Sequence, residues 1–318
     1  MKSLLLIEKI EVENANAIAG LTYGFPAVSS FLGFTHALSR QLQKDFDLTL
    51  NESAIICHNH QVHCLSINGW NDQNFALTRN PLTKEAKTAS FNEEGRMHLT
   101  ISLLMPCSFT YDDLDKAMNA EAETLFPMYI HQKISMLKLA GGLITKGRVR
   151  FIELDEDPIK AQKQKRRLRY QLLPGFVLVE RAALLEKHWQ DMKNLAEQTT
   201  IVDAWLDFFA LNYECHIDEE NSWHLIPRQP GWFVPLCNGF RAISPLYEKQ
   251  KVAKARNHEI PFQFVEPVHT IGEWISPHRV ETLNSLFWRY EYSPDWYLCR
   301  NDFERIETLG DQSESGTH

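Results

Sequence analysis

The residues best equipped for chemistry lie in three stretches. The first, "CHNHQVHC", runs from Cys57 to Cys64 and sets five potential metal ligands within eight residues. On a strand, successive side chains point to opposite faces. His58, His60 and Cys64 would then share one face, and Cys57 and His63 the other. Neither half supplies the four ligands of a structural site, and the C-x2-C knuckle spacing is missing. A turn in the middle would bring all five together. The expectation is a set of neutral histidines on a partly exposed strand, with no metal and no cofactor.

The second stretch, "NANAIAGLTYGFPAVSSFLGFTHALSRQL" at 14–42, joins two apolar runs through Gly20, Gly24 and Gly33. These glycines fit neither G-x-G-x-x-G nor the Walker pattern, and no Lys-Ser/Thr pair follows. Free backbone N–H groups at the start of a helix could still hold a phosphate. Asn14, Asn16 and Tyr23 are the loop groups that could read or stack bases. Ser29 or Ser30 is expected to cap the helix, and Gly33 to let it lie close to a sheet. His36 could serve as a general base in a metal-independent ribonuclease, although a helical histidine without catalytic duty is the commoner case. G-x-S-x-G, H-E-x-x-H and the kinase set are all missing, so no catalytic residue is expected.

The third stretch, "KAQKQKRRLR" at 160–169, holds Lys160, Lys163, Lys165, Arg166, Arg167 and Arg169 without an acid. Just upstream lie Lys146, Arg148 and Arg150; the two arginines are two apart on a strand and point the same way. In a chain of net charge −8, such concentration suits a polyanion, because each phosphate contact releases condensed counterions. A helix face carrying Arg166 and Arg169 could grip one backbone. The competing reading is a solvated helix balanced by the acids of "ELDEDP" before it. Arg79 and Lys84 flank an Asn-Pro break and could meet RNA from another loop. Arg256 belongs to a second basic stretch, "EKQKVAKARNH".

The elements that must carry these residues follow from periodicity. The 318 residues are 44% hydrophobic and 23% charged, an ordinary globular composition. No run approaches the roughly 18 apolar residues of a membrane span, and Glu8 interrupts the apolar opening, so a cytoplasmic protein without membrane contact is expected. Six cysteines without a CxxC pair read as reduced thiols. Strands at 3–13, 53–67, 95–106 and 143–154 alternate with helices after Ser29 and over 112–140, the second kinked or divided at Pro127. That order, βαβ(β)βαβ, predicts an α+β chain: a ferredoxin-like, RRM-type split-βαβ core over 1–154. A basic helical segment and an aromatic-rich elaboration would occupy 155–305, and a disordered tail 306–318.

Several stretches in order carry a family likeness: "NANAIAGLTYGFPAVSSFLGFTHAL", "LTRNPL", "EEGRMHLTISLL", "LAGGLI", "LLPGFVLV", "GWFVP", "PFQFVEPVHTIGEWISPHR" and "WYLCRN". From about residue 4 to residue 302, the series resembles the second subunit of the type I-F CRISPR surveillance (Csy) complex, in the Cas-five class. "FPAVSSFLGFTHAL" also resembles the P-S-x-x-x-G helix start of that wider class. The resemblance implies an RRM-like fold with a thumb-like or C-terminal elaboration, and no RNA cleavage. It further implies a heterodimer with the large subunit that holds the 5′ handle of the CRISPR RNA (crRNA). An adjacent multi-copy backbone subunit would continue along the spacer, and target DNA near the protospacer-adjacent motif is a further contact open to it. Some Cas-five relatives cleave guide precursors, so a repeat-RNA endonuclease is the alternative, with His36 and Tyr23 as nominal catalysts. The RNA-contact residues named above rest on charge and loop placement, not on family motifs.

Overall fold

A computed structural model of the chain describes residues 2–66, 73–75, 77–79, 82–118, 122–216, 222–255, 257–280 and 282–303. The chain opens on β1 (Ser3–Asn16), turns through β2 (Ile18–Ala19) and β3 (Thr22–Tyr23), and enters α1 (Val28–Phe46). Next come β4 (Ala54–Val62), β5 (Cys64–Ser66), β6 (Gln73–Phe75), β7 (Leu77–Arg79) and β8 (Phe91–Glu93). β9 (Arg96–Cys107) leads to α2 (Tyr111–Met118), α3 (Ala122–Ser135) and the hairpin of β10 (Lys138–Leu139) and β11 (Gly142–Glu153). α4 (Pro158–Gln171) and β12 (Phe176–Glu180) connect to α5 (Ala182–Leu195) and α6 (Ile201–Asp207). Then follow β13 (Tyr213–His216), β14 (Ser222–Leu225), β15 (Phe233–Ala242) and β16 (Val265–Ile275). β17 (Trp288–Ser293) and β18 (Trp296–Asn301) come last.

Among the described residues ten strands form one antiparallel sheet in the order β10-β11-β1-β9-β4-β12-β16-β15-β18-β17. This overturns the expected ferredoxin-like, RRM-type split-βαβ core with an additional elaboration, although the chain is α+β overall. The sheet does not stop at β4: β12 pairs with it through Phe176↔Cys57 and Val177↔Ile56. On its other side β12 pairs with β16 through Val177↔Ile275 and Leu178↔Trp274. Strands from both halves of the chain thus share one hydrogen-bonded ladder.

The apolar pattern explains why. Leu4, Leu5, Leu6 and Ile7 of β1 are all fully buried, which requires cover on both faces of the strand. Leu5 and Ile7 pack with Phe31, Leu38 and Leu42 of α1 and with Phe126 and Ile130 of α3. Leu4 and Leu6 pack on the opposite side with Leu168 of α4 and with Leu172, Val177 and Phe287. An unbroken apolar run is the mark of a strand covered on both faces, where strict alternation would mark a half-exposed one. Removing one such large side chain, Phe31→Ala for example, costs about 3–5 kcal/mol in a core of this kind.

Local expectations fared unevenly. α1 begins at Val28 after Ala27, without a side-chain cap from Ser29 or Ser30. Gly33 is exposed, and a Cβ there would meet nothing within 4 Å, so it does not bring the helix to the sheet. Close approach occurs instead at Gly142, where a Cβ would stand 2.6 Å from the Glu13 carbonyl oxygen. The helix expected over 112–140 is two helices, and Pro127 lies inside α3. The expected tail at 306–318 lies outside the described residues.

Candidate nucleic-acid interface

α4 starts where the acidic run ends. Asp157 accepts a hydrogen bond from Ile159 N at 2.9 Å, and Pro158 takes the first helical position, the pairing of cap and proline that a helix start favours. Its 14 residues span about 21 Å at 1.5 Å per residue. Leu168 is buried against the sheet, which turns Lys160, Lys163, Arg166 and Arg167 outward, all exposed. Lys160, Lys163 and Arg167 follow each other at three- and four-residue steps and so form one row. Lys160 faces Asp155 at 3.8 Å. Among the described residues Lys163, Arg166 and Arg167 have no carboxylate at salt-bridge distance. Arg169, 9% exposed, is turned into the protein and engaged there; it does not share the open face of Arg166.

The β11 cations stand differently. β1 runs beside β11 in the register Glu8↔Arg148 and Glu11↔Lys146. Glu8 meets Arg150 at 2.6 Å and Arg148 at 3.9 Å, and Glu11 meets Lys146 at 3.0 Å. Two carboxylates thus face three cations on one strip. Arg148 is the loosest of the three, with 78% of its side chain exposed.

The remaining predicted groups are scattered. Arg79 lies over the ring of Phe91 at 3.8 Å, directly across the β7–β8 pair. Lys84 faces Glu85 at 3.8 Å, and Arg256 lies outside the described residues. Asn14 takes a left-handed φ of 55° and its N–H donates to His98 Nδ1 at 3.4 Å. The Asn16 amide is closed on its own turn, donating to Ile18 O at 2.9 Å and accepting from Ile18 N at 3.1 Å. Tyr23 is 55% exposed and meets Phe75 edge-on at 5.3 Å. His36 stands on the exposed side of α1.

Sequence reasoning missed an aromatic cleft of about 410 Å³. Five distant stretches build it: 19–26, 57–60, 176–178, 232–237 and Trp274. The loop 19–26 is pinned by Gly20, whose φ is +62° and whose absent Cβ leaves room for His269 and Pro267; Leu21 N donates to His269 Nε2 at 3.2 Å. Beneath, Phe25 packs edge-on against Trp274 at 4.9 Å and stacks on Phe31 at 5.5 Å. Phe176 and Trp232 meet edge-on at 5.2 Å and form another side. The fourth side is the His/Cys segment, Cys57 to His60.

A bulge between Cys57 and Asn59 interrupts β4, so the strict two-face alternation expected of "CHNHQVHC" fails there. His58 is hydrogen-bonded at both ring nitrogens, to Pro174 O at 2.5 Å and to Ser102 Oγ at 2.7 Å. Burial pushes the Cys57 thiol up to about 11, which keeps it protonated at neutral pH. Among the described residues no three His, Cys, Asp or Glu side chains converge as metal ligands. The Gly-aromatic-Pro run "GFP" and the "QPGWFVP" stretch were the available signals for this cleft, but nothing in their spacing says that they meet.

With this geometry in view, the comparisons give the class and then the family. A model of a family of CRISPR-associated proteins, described as "CRISPR-associated protein (Cas_Csy2)", matches residues 5–299. The "CRISPR-associated protein Csy2" of Pseudomonas aeruginosa is 36% identical over 316 residues, covering 94% of each chain. The chain belongs to the Csy2 family, the one that the ordered motifs resemble. Among the described residues no helix is long and apolar enough to cross a membrane.

Proposed function

We propose that the chain is a non-catalytic, cytoplasmic subunit of a type I-F CRISPR RNA-guided surveillance complex. It holds the 5′ handle of the crRNA together with the large subunit, for antiviral targeting of DNA. The observation that carries this reading is the open cationic face of α4, where Lys163, Arg166 and Arg167 stand exposed. A surface of this kind within an acidic chain suits a short stretch of single-stranded RNA, since phosphates are its strongest fixed charges. The β11 strip and the Arg79–Phe91 pair offer secondary contacts. Protein partners would take the aromatic C-terminal half, where Trp223, Tyr213 and Leu225 of the β13–β14 hairpin are 69%, 53% and 49% exposed. The adjacent backbone subunit and target DNA beside the protospacer-adjacent motif complete the proposed set.

Replacing Arg166 and Arg167 together by alanine tests the reading. Two lost contacts to a single strand should flatten the log–log salt dependence of handle-RNA binding by about 1.4, at roughly 0.7 per phosphate. A salt slope equal to that of the parent protein would show that these arginines do not meet RNA. For the non-catalytic role, repeat RNA incubated with the protein in EDTA should remain intact; site-specific cuts lost in His36→Ala would contradict it.

A further inference from the structure

We infer that the cleft between the loop 19–26, β4, β12 and the segment around Trp232 seats an uncharged, proline-containing stretch of a partner protein, held as a polyproline II segment. The inference rests on the reading of the chain as a subunit of a larger complex, and it gives one partner contact its chemistry. Trp232, Tyr23 and Phe176 are 52%, 55% and 42% exposed, and with Phe25, Pro26 and Trp274 they line the cleft. Rings of this size are ordinarily covered when nothing is to be placed on them. Gly231 sets the turn that presents Trp232: its φ is +148°, and a Cβ there would stand 2.6 Å from the Phe233 ring. Trp274 N donates to Trp232 O at 3.0 Å, which ties the two tryptophans together at the backbone.

The lining selects its occupant by charge and by unpaired donors. No Asp, Glu, Lys or Arg lines the cleft, so an ionised group would lose its water there without a counter-charge. Elsewhere in the protein the indoles of Trp189, Trp205 and Trp288 each donate to a backbone carbonyl, at 3.0, 2.9 and 2.9 Å. The indole N–H groups of Trp232 and Trp274, the Tyr23 hydroxyl and the Asn59 side-chain N–H groups meet no acceptor among the described residues. A matching ligand combines apolar rings with free carbonyl oxygens. A helix keeps its carbonyls for its own hydrogen bonds. An added strand needs a sheet edge, and β4, β12, β16 and β15 are consecutive interior strands of the sheet. A polyproline II segment has no internal hydrogen bonds, and each proline brings an apolar ring and no N–H. Aromatic-lined grooves take such segments at low entropic cost, because the bound shape is already formed. At about 410 Å³ the cleft is within the range of small-ligand pockets, room for a short stretch and not for a folded element.

The test uses the full chain co-expressed with its partner subunits, with p-benzoylphenylalanine incorporated at Phe176. Irradiation followed by mass spectrometry should find a crosslink to a partner-protein peptide that carries proline and no charge at the linked site. Crosslinks only to nucleic acid, to a second copy of this chain or to a charged or proline-free stretch would overturn the inference, as would no crosslink at all. Trp232→Ala should weaken binding of that partner by about 30-fold or more, the loss of a hot-spot tryptophan. Trp232→Phe, which keeps a ring and loses the donor, should cost less. Alanine at the linked proline should weaken binding to the parent protein yet add little to Trp232→Ala, because the two changes remove the same contact; losses that simply add would overturn the inference. Should Trp232→Ala fail to fold, Tyr23→Ala gives the same comparison. If no partner protein copurifies with the parent chain, the subunit reading itself falls; if one binds the parent and Trp232→Ala equally, only the cleft assignment falls.

Discussion

At Glu8 one carboxylate faces two guanidinium groups, with Arg150 at 2.6 Å and Arg148 at 3.9 Å. How much of the β11 charge reaches a phosphate depends on that competition, whereas Arg166 and Arg167 have no such neighbour among the described residues. Glu8→Gln should therefore free one cation and steepen the salt dependence of RNA binding by about 0.7; an unchanged slope in a salt titration would place the strip outside the interface. The cysteines give a second residue-scale prediction. Burial pushes Cys57 to about 11 and Cys107 and Cys299 to about 12, and it raises Cys237 as well. Only the thiolate reacts readily, so iodoacetamide at pH 8 should label exposed Cys64 and Cys215 well before the other four. Mass spectrometry of the labelled peptides checks the order. The shared orientation of Arg148 and Arg150 was legible from their two-residue spacing. Their common partner was not, because Glu8 lies 142 residues from Arg150.

At the scale of elements, β9, β11 and α4 were legible because each has a sustained period and a clear stop. Their pairings were less so. β12 is only five residues long, and nothing in "FVLVE" says that it lies between β4 and β16. The helix start at Val28 was missed because serines that could cap it lie just inside the helix instead. Besides Gly142, a close approach between strands needs a missing Cβ at Gly239, where an added Cβ would collide with the Tyr297 carbonyl across the β15–β18 pair. Gly239→Ala should destabilise the fold by about 1–3 kcal/mol, as overpacking does, in a urea titration. Stability equal to the parent would mean that β18 shifts without cost. The cleft was the least legible feature, since it needs the loop 19–26, the β4 bulge and Trp232 to meet, and no local pattern specifies their meeting.

At the scale of the whole molecule, Glu180 sits where the middle of the sheet meets its far edge. Its carboxylate accepts from Asn238 Nδ2 at 3.1 Å and from Asn301 N at 3.2 Å, and faces Arg300 at 3.5 Å. Burial nevertheless raises its pKa above the ordinary 4.5, outweighing Arg300 and the two hydrogen bonds. A raised native pKa means that the folded state binds the proton more tightly than the unfolded one. The stability it contributes is full below about 4.5 and is lost as pH rises through the native value. Glu180→Gln should flatten that decline in urea titrations taken at successive pH values, and a parallel decline in the variant would exonerate Glu180. The continuous sheet makes this node matter, because β12, β15 and β18 all meet there. That continuity was hidden from sequence reading for the same reason: the order βαβ(β)βαβ describes neighbours along the chain, while β12 and β4 are neighbours only in space.

The central claim is that the open cationic face of α4 holds the guide RNA. It is tested most directly by photocrosslinking crRNA with 4-thiouridine in the handle to the assembled complex and mapping the linked peptides. Crosslinks are expected within α4, over 158–171, reduced when Arg166 and Arg167 are both alanine. Handle crosslinks confined to other surfaces of the chain, with α4 unlabelled, would contradict the claim.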